Sequence, residues 1–110
     1  MNRFELFCLM FFAIDTQWDN SPSEVLGDFL SSANPFFFDD IGSADPSCYD
    51  DFCKSVNENI VELNDSYKIA KTYIENLGIL EVTEAFKKTN ETQWLEAAKK
   101  YLSTHHKGEI

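Results

Sequence analysis

Histidine and cysteine, the residues that most often bind metals or act in catalysis, are few in this sequence. Their spacing matches neither a metal site nor a catalytic pair. The two histidines, His105 and His106, are adjacent and lie near the C-terminus. On a frayed tail they lack the third ligand and the supporting contacts that a metal site needs. Catalysis by a cysteine–histidine pair would require the tail to fold back on to Cys8, Cys48 or Cys53. We therefore expect exposed histidines and buried, reduced thiols.

Carboxylates are the one reactive group present in quantity. The densest cluster consists of Asp39, Asp40, Asp45, Asp50 and Asp51. It lacks the alternation and the glycine of an EF-hand loop. Asp45 precedes a proline and suits a helix N-cap, while Asp50 and Asp51 suit the start of a helix, where acids complement the dipole. Because no phosphate-binding loop or catalytic signature is present either, we predict a protein that is not an enzyme and uses no cofactor or metal.

Charge is distributed unevenly along the 110 residues, whose net charge is −10. Residues 1–53 hold ten acids and one base, giving −9, whereas residues 54–110 hold nine acids and eight bases, giving −1. A nucleic acid or an anionic membrane would require a basic surface, so we expect no direct binding to either. The remaining choices are a basic protein partner or no charged partner at all.

Nine of the ten phenylalanines lie in the same first half. Rings favour burial, whereas unpaired carboxylates must stay in water, so we expect an aromatic core beneath an acidic surface. Three consecutive phenylalanines in the loop over residues 35–44 fit no amphipathic helix, and some of them should face solvent. The predicted partner-binding residues are Phe36, Phe37, Phe38, Asp39, Asp40, Asp45, Asp50 and Asp51.

Helices must position these residues, because four glycines and three prolines are too few for a turn-rich β-sandwich. Residues 2–19 predict a helix that is apolar nearly all round, with Phe12 exposed or at a contact. A capping box with Ser21 as the N-cap starts the second helix. Gly78 is the predicted stop before two further helices at residues 79–88 and 90–103.

A seam of apolar or small residues runs from Tyr49 to Leu77 with alternating spacings of four and three. This heptad-like pattern, without a glycine or proline after Pro46, predicts one long helical segment over residues 46–77. A break near residues 57–59 or 64–66 is the alternative, since the mean helix has only about 11–12 residues.

The fold expected from these elements is all-α, a compact bundle of about five helices forming one domain over residues 1–110. Residues 104–110 are expected to be a frayed tail. The apolar run at residues 6–14 superficially resembles a signal peptide. Glu5 interrupts its approach, however, and nine apolar residues are too few to span a bilayer. We therefore expect a cytoplasmic protein that does not contact the membrane.

The leading functional hypothesis is a non-catalytic protein-binding module of bacterial or phage type, whose acidic first half docks on a basic partner. Immunity proteins, antitoxins and nuclease inhibitors are likewise compact, acidic and without catalytic groups. This likeness is one of general properties and does not identify a family. The alternative is a structural module in which the seam from Tyr49 to Leu77 pairs with a second copy as a homodimer. A carboxylate-based metal-binding or enzyme domain is the third hypothesis.

Overall fold

The apolar first helix lies at the centre of the molecule, and each of the other five helices packs against it. The computed structural model describes residues 1–109. Its helices are α1 (Arg3–Asp15), α2 (Glu24–Ala33), α3 (Pro46–Ser55), α4 (Leu63–Leu77), α5 (Leu80–Lys87) and α6 (Glu91–Leu102). The predicted all-α fold is confirmed, with six helices in place of about five. Within residues 1–109 no helix is both long and apolar enough to cross a membrane.

A capping box starts helix α1. The side chain of Asn2 accepts a hydrogen bond from the Glu5 N–H, and the Glu5 carboxylate accepts one from the Asn2 N–H, each at 2.8 Å. This reciprocal pair satisfies donors that a helix start otherwise leaves free. Buried residues then occur on every side of the helix, and Phe12 is 36% exposed, as the sequence predicts. The helix ends at Asp15, and residues 16–20 form turns.

The N-cap of helix α2 lies two residues after the predicted cap at Ser21. Ser23 is the N-cap, and its hydroxyl accepts a hydrogen bond from the Leu26 N–H at 3.0 Å. The N–H of Ser21 instead donates to the Gln17 carbonyl at 3.1 Å, which ties Ser21 into the preceding turn. Either serine has the right chemistry for a cap, and the turn after α1 decides between them.

The predicted single helix over residues 46–77 is wrong, and the alternative break near residues 57–59 is the one observed. Residues 56–62 connect α3 to α4 and run beside the N-terminus. The Arg3 N–H donates to the Asn59 carbonyl at 2.9 Å, and the Val61 N–H donates to the Met1 carbonyl at 2.8 Å. Successive residues of such a bridged segment face opposite ways, so Val61 is buried whereas Ile60, a seam residue, is 59% exposed.

The remaining helix boundaries follow the sequence closely. Gly78 adopts a left-handed conformation with φ of 70° and ends α4. Asn90 caps α6 through a second capping box with Gln93. Between α4 and α6, the buried indole Nε1–H of Trp94 donates to the Ser66 hydroxyl at 2.8 Å. That bond satisfies the only polar group of a large core side chain.

The prediction of a frayed tail is wrong for residues 104–109, the part of the tail that the structure describes. The Asn2 side-chain amide donates to the Gly108 carbonyl at 2.7 Å, and Nε2 of His106 lies 2.5 Å from the Glu5 carboxylate. A Cβ at Gly108 would overlap the ring of Phe4, so this close approach requires glycine. The tail therefore folds back on to the start of α1.

Candidate protein-binding surface

Four large apolar side chains of the loop between α2 and α3 are exposed. Phe36 is 41% exposed, Phe37 66%, Phe38 55% and Ile41 55%. We call residues 36–41 the aromatic loop. Exposed single apolar residues are ordinary on protein surfaces, but several large ones exposed in one short loop make it a candidate interaction site. All three predicted phenylalanines are thus exposed, and Ile41 extends the same loop.

The three rings divide into one that is supported and two that project. Phe36 stacks on Phe12 with ring centroids 5.3 Å apart, and its ring also lies edge-on to Phe11 at 6.3 Å. Phe37 and Phe38 contact each other in a T-shaped pair at 4.8 Å. Phe36 therefore anchors the aromatic loop to α1, while Phe37 and Phe38 form its exposed tip.

Lys107 holds the backbone of the aromatic loop from the C-terminal tail. Its ammonium group donates to the carbonyls of Pro35 and Phe38, each at 2.6 Å. The same group lies 5.4 Å from the centroid of the Phe4 ring, within the range of a cation–π contact. Hydrogen bonds from a charged donor are stronger than neutral ones, so Lys107 restricts the conformations available to the aromatic loop.

The position of Lys107 depends on the buried pair formed by Glu5 and His106, whose side chains are both 5% exposed. Nδ1 of His106 lies 2.6 Å from the Thr104 carbonyl, which can only accept, so this nitrogen carries a proton. Nε2 faces the Glu5 carboxylate at 2.5 Å. Burial lowers the pKa of His106, but hydrogen bonds to Glu5 and Thr104 outweigh it, and the net pKa is raised.

The acids of the first half are not neutralised by neighbouring bases. Apart from the buried Glu5, all nine are exposed. Among the residues that the structure describes, no lysine or arginine nitrogen lies within 4.0 Å of a carboxylate oxygen. Arg3 donates instead to the carbonyls of Cys53 and Val56 at 3.4 and 3.0 Å, and Lys107 is also bonded to carbonyls. The first half therefore carries exposed carboxylates that form no ion pair with lysine or arginine, as the charge asymmetry predicts.

The five predicted aspartates fall into separate places. Asp39 and Asp40 belong to the aromatic loop, beside Phe38. Asp45 caps α3, where its carboxylate accepts hydrogen bonds from the Ser47 hydroxyl and N–H at 2.8 and 3.0 Å, which lower its pKa. Asp50 and Asp51 are exposed on α3. In the described residues no hydrogen bond joins any two of these five aspartates.

Sequence reasoning missed Ile41 and Lys107. Ile41 follows two aspartates and lies outside every helical pattern, which is itself a weak signal of exposure. Lys107 lies in a segment expected to be frayed, and no local signal indicates that its ammonium group reaches a loop about seventy residues earlier in the chain. Only the fold brings these residues to one surface.

Other reactive groups offer little chemistry. Burial raises the pKa of the Cys8 thiol to about 12, so the thiolate that a nucleophile requires is not formed near neutral pH. His106 is buried against Glu5 and has both ring nitrogens occupied. Within residues 1–109 no three histidine, cysteine or acidic side chains converge in a way that could hold a metal ion.

Most residues of the seam from Tyr49 to Leu77 pack in or against the protein's own core. Val56, Ala70 and Ile74 are buried in the protein's own core. The Tyr67 hydroxyl donates to the Thr89 carbonyl at 3.0 Å, which joins the seam to the chain just before α6. A homodimer formed through this seam would therefore require the core to open.

No protein-family model, curated protein or solved structure matches the chain.

Proposed function

We propose that this protein is a non-catalytic binding module that docks on a basic partner protein through the aromatic loop and its aspartates. The observation that carries the proposal is the exposure of Phe37, Phe38 and Ile41 beside Asp39 and Asp40, on a backbone that Lys107 holds in place. In its small size and acidity it resembles immunity proteins, antitoxins and nuclease inhibitors. The odd number of cysteines suits action in a reducing cytoplasm.

The chemistry of the partner follows from the chemistry of the loop. Large rings at the centre of an interface supply most of the binding free energy when they enter a pocket on the partner. Carboxylates at the rim contribute mainly to the association rate and to the choice of partner. Among the described residues no lysine or arginine nitrogen lies within 4.0 Å of the Asp39 or Asp40 carboxylate, so we expect lysines or arginines around an apolar pocket on the partner.

Restraint of the loop before binding supports the same proposal. A loop that is ordered only on binding loses conformational entropy at that step, and the loss weakens the complex. Here Phe36 is stacked on Phe12, and the carbonyls of Pro35 and Phe38 are bonded to Lys107. The cost of ordering the loop is thus met during folding.

The experiment is a quantitative capture from native lysate with four immobilised forms of the protein. These are the wild type, Phe37→Ser/Phe38→Ser, Asp39→Asn/Asp40→Asn, and the control Glu75→Gln/Glu96→Gln, which removes the same charge from exposed positions of α4 and α6. A basic protein retained by the wild type and the control should be lost with the ring variant. The aspartate variant should retain less of it, with a weaker dependence on salt.

A second control separates apolar docking from general stickiness. Leu80→Ser removes an exposed leucine at the start of α5 and should capture the partner as the wild type does. If the ring variant retained the same proteins as the wild type at every ionic strength, the aromatic loop would not be the docking surface. Circular dichroism of each variant checks that the fold is intact.

A further inference from the structure

A second surface feature, a groove between α1 and α6, differs in chemistry from the acidic surface. Its volume is about 610 Å³. Leu9 and Ala13 line it from α1, and Trp94, Ala97 and Tyr101 line it from α6. Phe12 forms one wall, where its ring lies edge-on to Tyr101 at 5.7 Å. An apolar groove of this size on a soluble protein is a candidate binding site.

The charge of the groove is the reverse of the charge of the molecule. Its lining includes Lys88 and Lys100 and contains no aspartate or glutamate, although the whole chain has 19 acids and 9 lysines and arginines. Neither lysine lies within 4.0 Å of a carboxylate in the described residues. The two ammonium groups are therefore available to acids of a bound molecule, and a basic occupant would be repelled.

We propose that this groove binds an amphipathic helix of a partner protein, with the apolar face of that helix in the groove and its acidic flanks beside Lys88 and Lys100. The groove lies between two helices, so a third helix can pack in it by the same ridge-and-groove rules that hold the bundle together. Ala13 and Ala97 are small, which lets the backbone of an incoming helix approach closely. Gln17 and Gln93 provide polar groups in the lining.

The shape of the groove favours a helix over a small molecule. Sites for small molecules usually enclose most of their ligand. This groove is open to solvent, and Ala97 and Phe12 in its lining are themselves exposed. A helix, in contrast, covers its own apolar contacts with the polar side that it keeps in water.

The proposal goes beyond docking through the aromatic loop and can be tested separately. The probe is a pair of hydrocarbon-stapled, fluorescently labelled helical peptides with leucines at positions i, i+3, i+4 and i+7. One peptide has glutamates on its flanks, and the other has lysines at the same positions. Fluorescence anisotropy gives the dissociation constant of each peptide with the whole protein.

We expect the glutamate-flanked peptide to bind at least about tenfold more tightly than the lysine-flanked peptide. Ala97→Trp, which fills the groove from an exposed position, should abolish binding of both peptides. Lys88→Glu/Lys100→Glu should reverse the preference. The matched control Lys54→Glu/Lys68→Glu makes the same change of charge outside the groove and should retain the preference for the glutamate-flanked peptide. Phe37→Ser/Phe38→Ser should bind both peptides as the wild type does.

Several results would overturn the proposal. Binding that survives Ala97→Trp would place the peptide elsewhere, and an absence of measurable binding of either peptide would exclude a helix site. Displacement of the peptide by dodecanoate at a lower concentration than by unlabelled peptide would assign the groove to a small amphiphile. A dimer in sedimentation that dissociates with Ala97→Trp would assign it to a second copy of this chain.

Discussion

The Glu5 carboxylate is bound to Nε2 of His106 at 2.5 Å, across 101 residues of the chain. Its other oxygen accepts the N–H of Asn2, so one carboxylate both caps α1 and holds the C-terminal tail. The next residue of that tail, Lys107, is bonded to the aromatic loop. The start of α1, the tail and the loop thus form one connected unit.

This pair predicts a dependence of stability on pH. The pKa of His106 in the folded protein is raised above its ordinary value of 6.5, because hydrogen bonds to Glu5 and Thr104 outweigh burial. Its charged form therefore stabilises the folded state fully below pH 6.5, and this contribution is lost as pH rises through the raised pKa. Glu109 is the other charged group that acts on the ring, and the ring of Tyr101 lies 4.3 Å from it between centroids.

Urea unfolding at several pH values between 5.5 and 8.5 measures this effect. We expect the free energy of unfolding of the wild type to fall toward the upper end of that range. His106→Gln, which does not titrate, should show a flatter dependence. A His106 pKa at or below 6.5, measured from its ring proton resonances, would contradict the structural interpretation.

Two substitutions at Glu5 separate its roles. Glu5→Ala removes the carboxylate half of the capping box and leaves the buried His106 without its partner, and we expect a loss of about 2–4 kcal/mol in the free energy of unfolding. Glu5→Gln retains an acceptor for the Asn2 N–H, since glutamine also serves in a capping box. It should cost less and should weaken the pH dependence. Equal losses for the two variants would contradict this, because they would mean that removal of the charge alone abolishes the contribution of the Glu5 side chain.

The buried indole of Trp94 gives a prediction about the core. Ser66→Ala removes the acceptor of the Trp94 Nε1–H, and both residues are buried. An unsatisfied buried donor costs about 1–3 kcal/mol, so we expect a loss of that size in urea unfolding. Ser31→Ala, at an exposed position of α2, is the matched control and should change stability by less than about 0.5 kcal/mol. A neutral Ser66→Ala would mean that water replaces the hydroxyl.

Local signals in the sequence predicted much of the fold. Asp45 before Pro46, Gly78 and Asn90 each mark a helix end by short-range chemistry, and the structure has helix ends at all three. The failures occur where distant segments meet. Residues 56–62 leave the helical pattern because they pair with Met1 and Arg3, and nothing near residue 60 in the sequence indicates that pairing.

In the candidate surface, too, local features could be predicted from the sequence, whereas contacts between distant segments could not. The sequence predicts that some of Phe36, Phe37 and Phe38 face solvent, because three successive rings cannot all face one core, and the structure exposes all three. The support of that loop was not expected, because Lys107 and His106 lie in a segment whose composition resembles an exposed tail. Their contacts depend on the return of the chain to α1, which only the complete fold determines.

Lys107 gives the prediction that joins the fold to the proposed function. Lys107→Met keeps the apolar stem and removes two hydrogen bonds from a charged donor to the Pro35 and Phe38 carbonyls. We expect the free energy required for local opening of the loop to fall by about 1–2 kcal/mol. Backbone amides of residues 36–41 should then exchange about 5–30 times faster. Hydrogen exchange measured by NMR tests this residue by residue.

The control is Lys99→Met, which changes an exposed lysine of α6 and should leave exchange in the aromatic loop unaltered. Partner binding should respond in parallel, because a loop that is less ordered before binding loses more entropy in the complex. Faster exchange with unchanged capture would mean that Phe36, stacked on Phe12, is sufficient to present the loop. Unchanged exchange would show instead that the bonds from Lys107 do not restrain it.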